Sequence, residues 1–376
     1  MRFDTLPGHE DIKRRLRGLK ESGHIPHALM LTGPSGSGKM ILARTFAQYL
    51  HCQNPANGEP CGHCNNCRLH QENSHPDLHF IYPIVKNKKG GITVSADRSN
   101  EWFKMLADYP AMPEEKWLEI IEAGNSQPTI YVEEAAEIIR ADSTPAYTSS
   151  HKIFIIWRPE RLGTETANKL LKVIEEPAED TIFILVCNNE LQLLPTIFSR
   201  VQRIPVGRLS QSEIAEYLHK RYNFIDSTAN QYAALCNGSL IRADELGQNS
   251  GEREEFLEIY REVMRSAYAK RVLELRKLSE KIAAFGREKI RRYLDYTASM
   301  LRENFIYNMR VPQLNTLTPE EEQFSSRFSP FVNHLNVERF LIETDRAKRE
   351  VERNANSKIV LFDYFLLTII LLHKKK

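Results

Sequence analysis

Residues 29–40, LMLTGPSGSGKM, constrain this chain more than any other stretch. An apolar strand runs into a glycine-rich turn, and residues 41–49 continue as a helix. Gly33, Gly36, Gly38 and Lys39 fit the phosphate-cradling spacing G-x-x-x-x-G-K-[S/T], with Pro34, Ser35 and Ser37 between them. Glycines let successive backbone N–H groups converge on an anion, and the helix N-terminus adds a favourable dipole. Lys39 would reach the outer phosphates. The last position breaks the pattern. Met40 stands where a Ser or Thr hydroxyl normally holds Mg²⁺, and a thioether does not serve a hard cation. The stretch predicts an α/β P-loop domain whose cradle leaves ATP or ADP binding open and disfavours Mg²⁺.

A chain of 376 residues is long enough for two or three domains. Lys plus Arg total 51 against 49 Asp plus Glu, so bulk charge argues neither for nor against nucleic acid. The opening MRFDTLPGHEDIK has no apolar signal core. The most apolar run, 359–372, is short of a membrane span and carries Asp363, so a buried helix and no membrane partner are expected. Six cysteines without an export signal point to the reducing cytoplasm, where clustered thiols indicate metal rather than disulfides.

Four of those cysteines follow the P-loop helix. Cys52, Cys61, Cys64 and Cys67 have C-x8-C-x2-C-x2-C spacing, and Gly58, Pro60 and Gly62 supply the tight turns between them. Four thiolates around a tetrahedral Zn²⁺ leave no open position, so the ion would be structural. His51, His63 and His70 lie nearby, but the sulfurs already complete the set. After His75-Pro76-Asp77, residues 80–85 read as a strand, 86–91 as a basic turn and 92–94 as its hairpin partner. Residues 99–123 carry Trp102, Phe103, Leu106, Trp117, Leu118 and Ile121 at helical spacings and read as a packed insert without an assigned role.

Residues 152–157, KIFIIW, read as a buried parallel strand. In a phosphate-cleaving P-loop enzyme such a strand ends in acids that hold Mg²⁺ and activate water. Trp157 and Arg158 occupy those positions, and Glu160 is the nearest displaced acid. Residues 181–187 form the next strand, with Cys187 as a small apolar packer. Asn188 and Asn189 follow where a polar group would sense the terminal phosphate. Residues 193–200, LLPTIFSR, place Ser199 and Arg200 after a short helical turn, from which an arginine can reach a neighbouring subunit's phosphates. From residue 209 the pattern is helical. Ser210 and Glu213 form a capping box, 287–292 reads as a solvated charged face, and 311–328 reads as a loop-rich break.

The order of these motifs resembles the bacterial DNA polymerase III clamp loader family, most closely its delta-prime subunits, over most of residues 1–250. HALMLTGPSGSGK, the four-cysteine module, HPDLH, ANKLLKVIEEP and LLPTIFSR carry the resemblance. It implies an AAA+ domain over 1–207, with a zinc module at about 51–70 and an insert at about 86–127. A helical lid over 208–250 and an all-helical collar over 252–376 would follow. The implied partners are gamma/tau and delta subunits and, through the assembled complex, the sliding clamp and primer-template DNA. Counting back from ANKLLKVIEEP places the family's acidic pair on Trp157 and Arg158 without a gap. The family's Ser-Arg-Cys motif maps onto Ser199-Arg200-Val201, with Arg200 as an arginine finger. The sensor arginine is less regular, because Gly238 to Arg242 is one residue longer than the family spacing. Loss of both acids and of the magnesium hydroxyl resembles the delta-prime role, a stator without intrinsic ATPase activity within the polymerase holoenzyme. Two alternatives remain at this stage. One is a gamma/tau-like ATPase that uses a displaced acid. The other is a zinc-containing DNA-binding scaffold with a relic P-loop, which the near-neutral charge disfavours.

Overall fold

A computed structural model describes the chain apart from residues 1, 87–90, 125, 249, 311–314, 316 and 374–376. The chain divides into two compact units, Met1–Glu245 and Leu246–Lys376.

The first unit is built on five parallel strands: β1 Ala28–Thr32, β2 Leu78–Ile81, β3 Lys152–Trp157, β4 Thr181–Cys187 and β5 Gln202–Pro205. Their order is β2-β3-β4-β1-β5. Central strands β1, β3 and β4 are buried along their whole length, because apolar runs such as KIFIIW are covered on both faces. Edge strand β5 buries Ile204 alone. The register sets Thr32 opposite Cys187 and Trp157 opposite Val186. The carboxyl ends of the three central strands are therefore level, on the edge where open α/β sheets take ligands.

Helices fill every crossover, as parallel strands require. Helix α1 (Glu10–Glu21) precedes β1, and α2 (Lys39–His51) and α3 (Asn65–Gln71) lead to β2. Then α4 (Ser99–Asp108), α5 (Glu114–Ile120) and α6 (Val132–Asp142) lead to β3. Helix α7 (Thr164–Glu175) joins β3 to β4, and α8 (Pro195–Phe198) joins β4 to β5. Ala135 and Ile138 of α6 and Leu170 and Ile174 of α7 pack on Phe154 and Phe183 of the sheet. Helices α9 (Gln211–Tyr222), α10 (Asp226–Cys236) and α11 (Leu240–Gln248) follow, and the Ser210–Glu213 capping box is present.

Around β2 the sequence expectation fails. The strand starts at Leu78, drawn into register with Ile153, and Pro83 follows it without an N–H to donate. Residues 92–94 are not a strand. Thr93 and Val94 donate their N–H groups to Asp97 Oδ2 at 2.7 and 3.0 Å, which starts a short 3-10 turn instead of a ladder. Most of the predicted basic turn, 87–90, lies outside the described residues.

The second unit is helical: α12 (Ser250–Tyr268), α13 (Val272–Ala283), α14 (Arg287–Asn308), α15 (Pro319–Phe328), α16 (Val337–Glu352) and α17 (Ser357–Leu372). Its core gathers Tyr260, Tyr293, Leu294, Phe340, Leu361 and Phe365. Helix α15 corrects the loop expected across 311–328. Thr318 and Glu321 form a capping box and Pro319 takes the first helical position, a helix start that was readable from the sequence. The charged face of α14 is not simply solvated either. Lys289 pairs with Glu255 at 2.6 Å and Arg292 with Glu252 at 2.8 Å, so it faces acids of α12. Helix α17 buries Val360, Leu361, Tyr364, Phe365 and Leu371 but leaves Ile359 and Ile370 exposed, so the buried helix expected there holds for one face only; no described helix is long and apolar enough to cross a membrane.

Candidate functional site

The P-loop runs from the end of β1 into α2 with Gly33, Gly36 and Gly38 all at positive φ. Gly33 is irreplaceable on space alone, since a Cβ there would lie 2.0 Å from the Val206 carbonyl oxygen. Gly36 is approached by the start of α11. The Leu240 N–H donates to the Gly36 carbonyl at 2.8 Å, and a Cβ on Gly36 would lie 2.2 Å from Ser239 Oγ. Arg242, one turn into that helix, is exposed. The His9 ring bonds the Ser37 carbonyl through Nε2 at 2.8 Å. Lys39 is turned inward. Its Nζ donates to the carbonyls of Gly33 and Pro34 at 2.8 and 2.6 Å and to Ser37 Oγ at 3.2 Å. Burial lowers its pKa to about 8 against the opposing pull of Cys187 and Glu160. The cradle thus spends its lysine on its own carbonyls. Met40 is buried in the core.

At the end of β3 the acidic-pair positions are filled by Trp157 and Arg158. Trp157 packs against two tryptophans of the insert, Trp102 on α4 with centroids 5.4 Å apart and Trp117 on α5 at 6.4 Å. Tyr82 stacks on Trp102 at 3.9 Å, and Trp117 donates its indole N–H to the Pro83 carbonyl at 2.7 Å. All three tryptophans of the chain meet in this cluster. Arg158 sits in left-handed backbone and turns its guanidinium between two acids. It pairs with Glu160 at 2.9 Å, and it bonds Glu114 of α5, which also holds Arg161 at 3.0 Å. Glu160 is wholly buried and accepts the Asn188 N–H at 3.0 Å. The displaced acid is present at the site, neutralised by an internal cation and tied to the end of β4. Cys187 packs there as expected, its thiol pushed up to about 12 by burial. Sequence reasoning missed Glu114 and the meeting of the insert with Trp157. The composition offered one signal, that two of three tryptophans lie in the insert.

The four cysteines come together as the spacing required. Cys61 Sγ and Cys67 Sγ are 3.9 Å apart, close to the ~3.8 Å separation of thiolates held tetrahedrally at 2.3 Å by Zn²⁺. Backbone N–H groups point at sulfur: Cys61 to Cys52 at 3.2 Å, Cys64 to Cys61 at 3.3 Å and Cys67 to Cys64 at 3.4 Å. Such donors stabilise thiolates, and the four sulfurs lie close enough together that the cluster could hold a metal ion. The module is pinned to α1, where Arg17 pairs with Glu59 at 2.7 Å and donates to the Gly58 carbonyl at 2.9 Å. His51 and His70 stay out of this cluster and pack with His75.

Arg200 follows α8 and is partly exposed. Its Nε pairs with Glu175 Oε2 of α7 at 2.7 Å, and its Nη1 donates to the Thr196 carbonyl at 3.0 Å and to Ser199 Oγ at 3.3 Å. Ser199 therefore braces the arginine.

A family profile described as DNA polymerase III, delta subunit, matches residues 8–210, more than half of the chain. The delta-prime subunit of Pseudomonas aeruginosa is 27% identical over 255 residues, 67% of this chain and 64% of that protein. The delta-prime subunit of Bacillus subtilis is 26% identical over 231 residues, 61% of this chain and 56% of that protein. The tau subunit of Bacillus subtilis is also 26% identical, over 58% of this chain and 31% of its own length. The chain thus spans less than two thirds of the length of each of these relatives. On the matched profile and the delta-prime relatives together, this chain belongs to the DNA polymerase III clamp loader delta-prime family.

Proposed function

We propose that this chain is a non-hydrolysing clamp loader subunit of the delta-prime type, a stator that offers Arg200 to the ATP site of a neighbouring gamma/tau-like subunit. Near-equal identity to delta-prime and tau relatives leaves the choice to the site residues. The observation that carries it is the Arg158–Glu160 pair at 2.9 Å, directly after Trp157 in the chain. Phosphoryl transfer needs a carboxylate free to hold the metal and another to orient water. Here the displaced acid Glu160 is buried against a guanidinium, and Met40 supplies no magnesium hydroxyl. An arginine offered in trans needs none of these groups. In this reading residues 208–250, with α9–α11, form the lid, residues 252–376 form the collar, the cysteines hold a structural Zn²⁺, and the sliding clamp and primer-template DNA are met through the assembled complex.

The test is ATP hydrolysis by the chain alone and then mixed with gamma/tau, delta, clamp and primed DNA. The chain alone is expected to be silent. Arg200→Ala is expected to lower turnover of the intact mixed complex by 10³-fold or more at the site it serves, the order of magnitude an arginine finger contributes. Unchanged turnover in that variant sinks the proposal. Turnover by the chain alone, lost in Lys39→Ala, means a motor that uses Glu160.

A further inference from the structure

We infer that His51, His70 and His75 form a second transition-metal site, separate from the four-cysteine cluster and able to take Zn²⁺ or another divalent ion that favours imidazole. All three residues are buried, and each offers one ring nitrogen within 4.8 Å of the others. Imidazole nitrogens held tetrahedrally at 2.0–2.1 Å by Zn²⁺ lie about 3.4 Å apart, a spacing within about 1.5 Å of the one these three already hold.

His51 is already set toward that role, and His70 and His75 each need a change of tautomer. His51 Nε2 bonds the His151 carbonyl oxygen at 2.9 Å. A carbonyl can only accept, so Nε2 carries the proton and Nδ1 keeps its lone pair. A backbone carbonyl on the far nitrogen is how ligating histidines are commonly oriented. His51 Nδ1 faces His70 Nε2 at 2.9 Å, and without an ion His70 donates its proton across that gap. On binding an ion, His70 carries its proton on Nδ1 instead. His75 closes the group, its ring 4.2 Å from that of His51 and 4.7 Å from that of His70. Its Nε2 is buried and has no hydrogen-bond partner among the described residues. An ion would satisfy that nitrogen, at the expense of the 3.2 Å bond that His75 Nδ1 accepts from the Asp77 N–H. The negative charge of Asp77, whose carboxylate accepts from Tyr147, Thr148 and Ser149, acts on His51 and His75, while the positive charge of Arg44 acts on His70.

The chain feeds the two centres in parallel. Consecutive residues His51 and Cys52 at the end of α2 send one ligand to each. Helix α3 does the same with Cys67 and, one turn on, His70. His75 adds the segment that enters β2. Two ions would therefore bolt α2, α3 and the approach to β2 together, where the cysteine site alone holds only α2, α3 and their loop.

The test is elemental analysis of the untagged full chain, purified without chelator. Two equivalents of metal per chain are expected. His75→Gln should keep one, and Cys61→Ser with Cys64→Ser should keep the other. One equivalent in the wild type, retained by His75→Gln, overturns the inference. Co²⁺ titration of the wild type covers the case in which the cysteine variant does not fold. The four-thiolate centre announces itself by sulfur-to-metal charge-transfer bands. A second equivalent should then add ligand-field bands without new sulfur bands, and these should be missing in His70→Gln and His75→Gln. Saturation at one equivalent, or a second equivalent that survives both histidine variants, overturns the inference.

Discussion

Arg158 adopts φ 60°, a backbone state that a long side chain enters only when its surroundings enforce it. Its backbone is pinned on both sides, the N–H donating to the Val186 carbonyl at 3.0 Å and the carbonyl accepting from the Arg161 N–H at 2.8 Å, and the side chain then lies between two acids. Glu160 on one side is fully buried and Glu114 on the other is largely so, and together they hold the guanidinium. A buried pair adds little net stability over an apolar replacement, but breaking it strands a charge. Arg158→Ala should therefore cost about 3–5 kcal/mol in urea unfolding, because Glu160 is left without its counter-ion. A loss under about 1 kcal/mol would show that the pair contributes little to holding this corner together. The Arg200–Glu175 pair is different. Both side chains reach solvent, so the contact is worth about 0–1 kcal/mol and releasing the arginine toward a neighbour costs little.

The insert shows how elements are docked here. Helices α4 and α5 reach β3 through tryptophans, and the 3-10 turn before α4 is joined to α6 by Glu134. The Glu134 carboxylate accepts the Ser95 N–H at 2.6 Å and Ser95 Oγ at 2.9 Å. Burial nevertheless raises its pKa to about 7, outweighing those Ser95 hydrogen bonds. The sign follows from linkage. Unfolded, the carboxyl ionises near its ordinary value of 4.5, while the folded protein holds the proton until about 7. Stability from this group is full below the lower value and falls as pH rises through the window. Glu134→Gln should flatten that limb and gain about 1–3 kcal/mol on wild type between pH 5 and pH 8 in chemical unfolding. An unchanged pH profile would mean that the carboxyl ionises freely in the folded state. Nothing in the periodicity of 99–123 foretold what these helices cover. Spacing shows that a helix has an apolar face but not which strand receives it.

At the scale of the molecule, the unit from Leu246 onward has a core of its own, with Tyr260, Tyr293, Phe340 and Phe365 all fully enclosed. Residues 246–376 expressed alone should give a helical circular dichroism spectrum and a cooperative thermal transition. A spectrum of unfolded chain would show that this core depends on the first unit.

The P-loop, the four-cysteine cluster, the parallel sheet and the helical character of the C-terminal half were legible in the sequence because each is specified by residues close together along the chain. Glycine spacing, thiol spacing, apolar runs and capping boxes are local signals, and even α15 was written in Thr318, Pro319 and Glu321. The loss of the acidic pair was legible for the same reason. What took its place was not. Glu114 and Arg158 lie 44 positions apart and meet only because α5 docks beside β3. His51, His70 and His75 could be noted as neighbours of the cysteines, but the convergence of their rings depends on where α2, α3 and the approach to β2 cross. The sequence determined which groups exist and which local turns they make. Tertiary packing decided which buried charges and ring nitrogens face one another, because those contacts join segments whose separation carries no periodic trace.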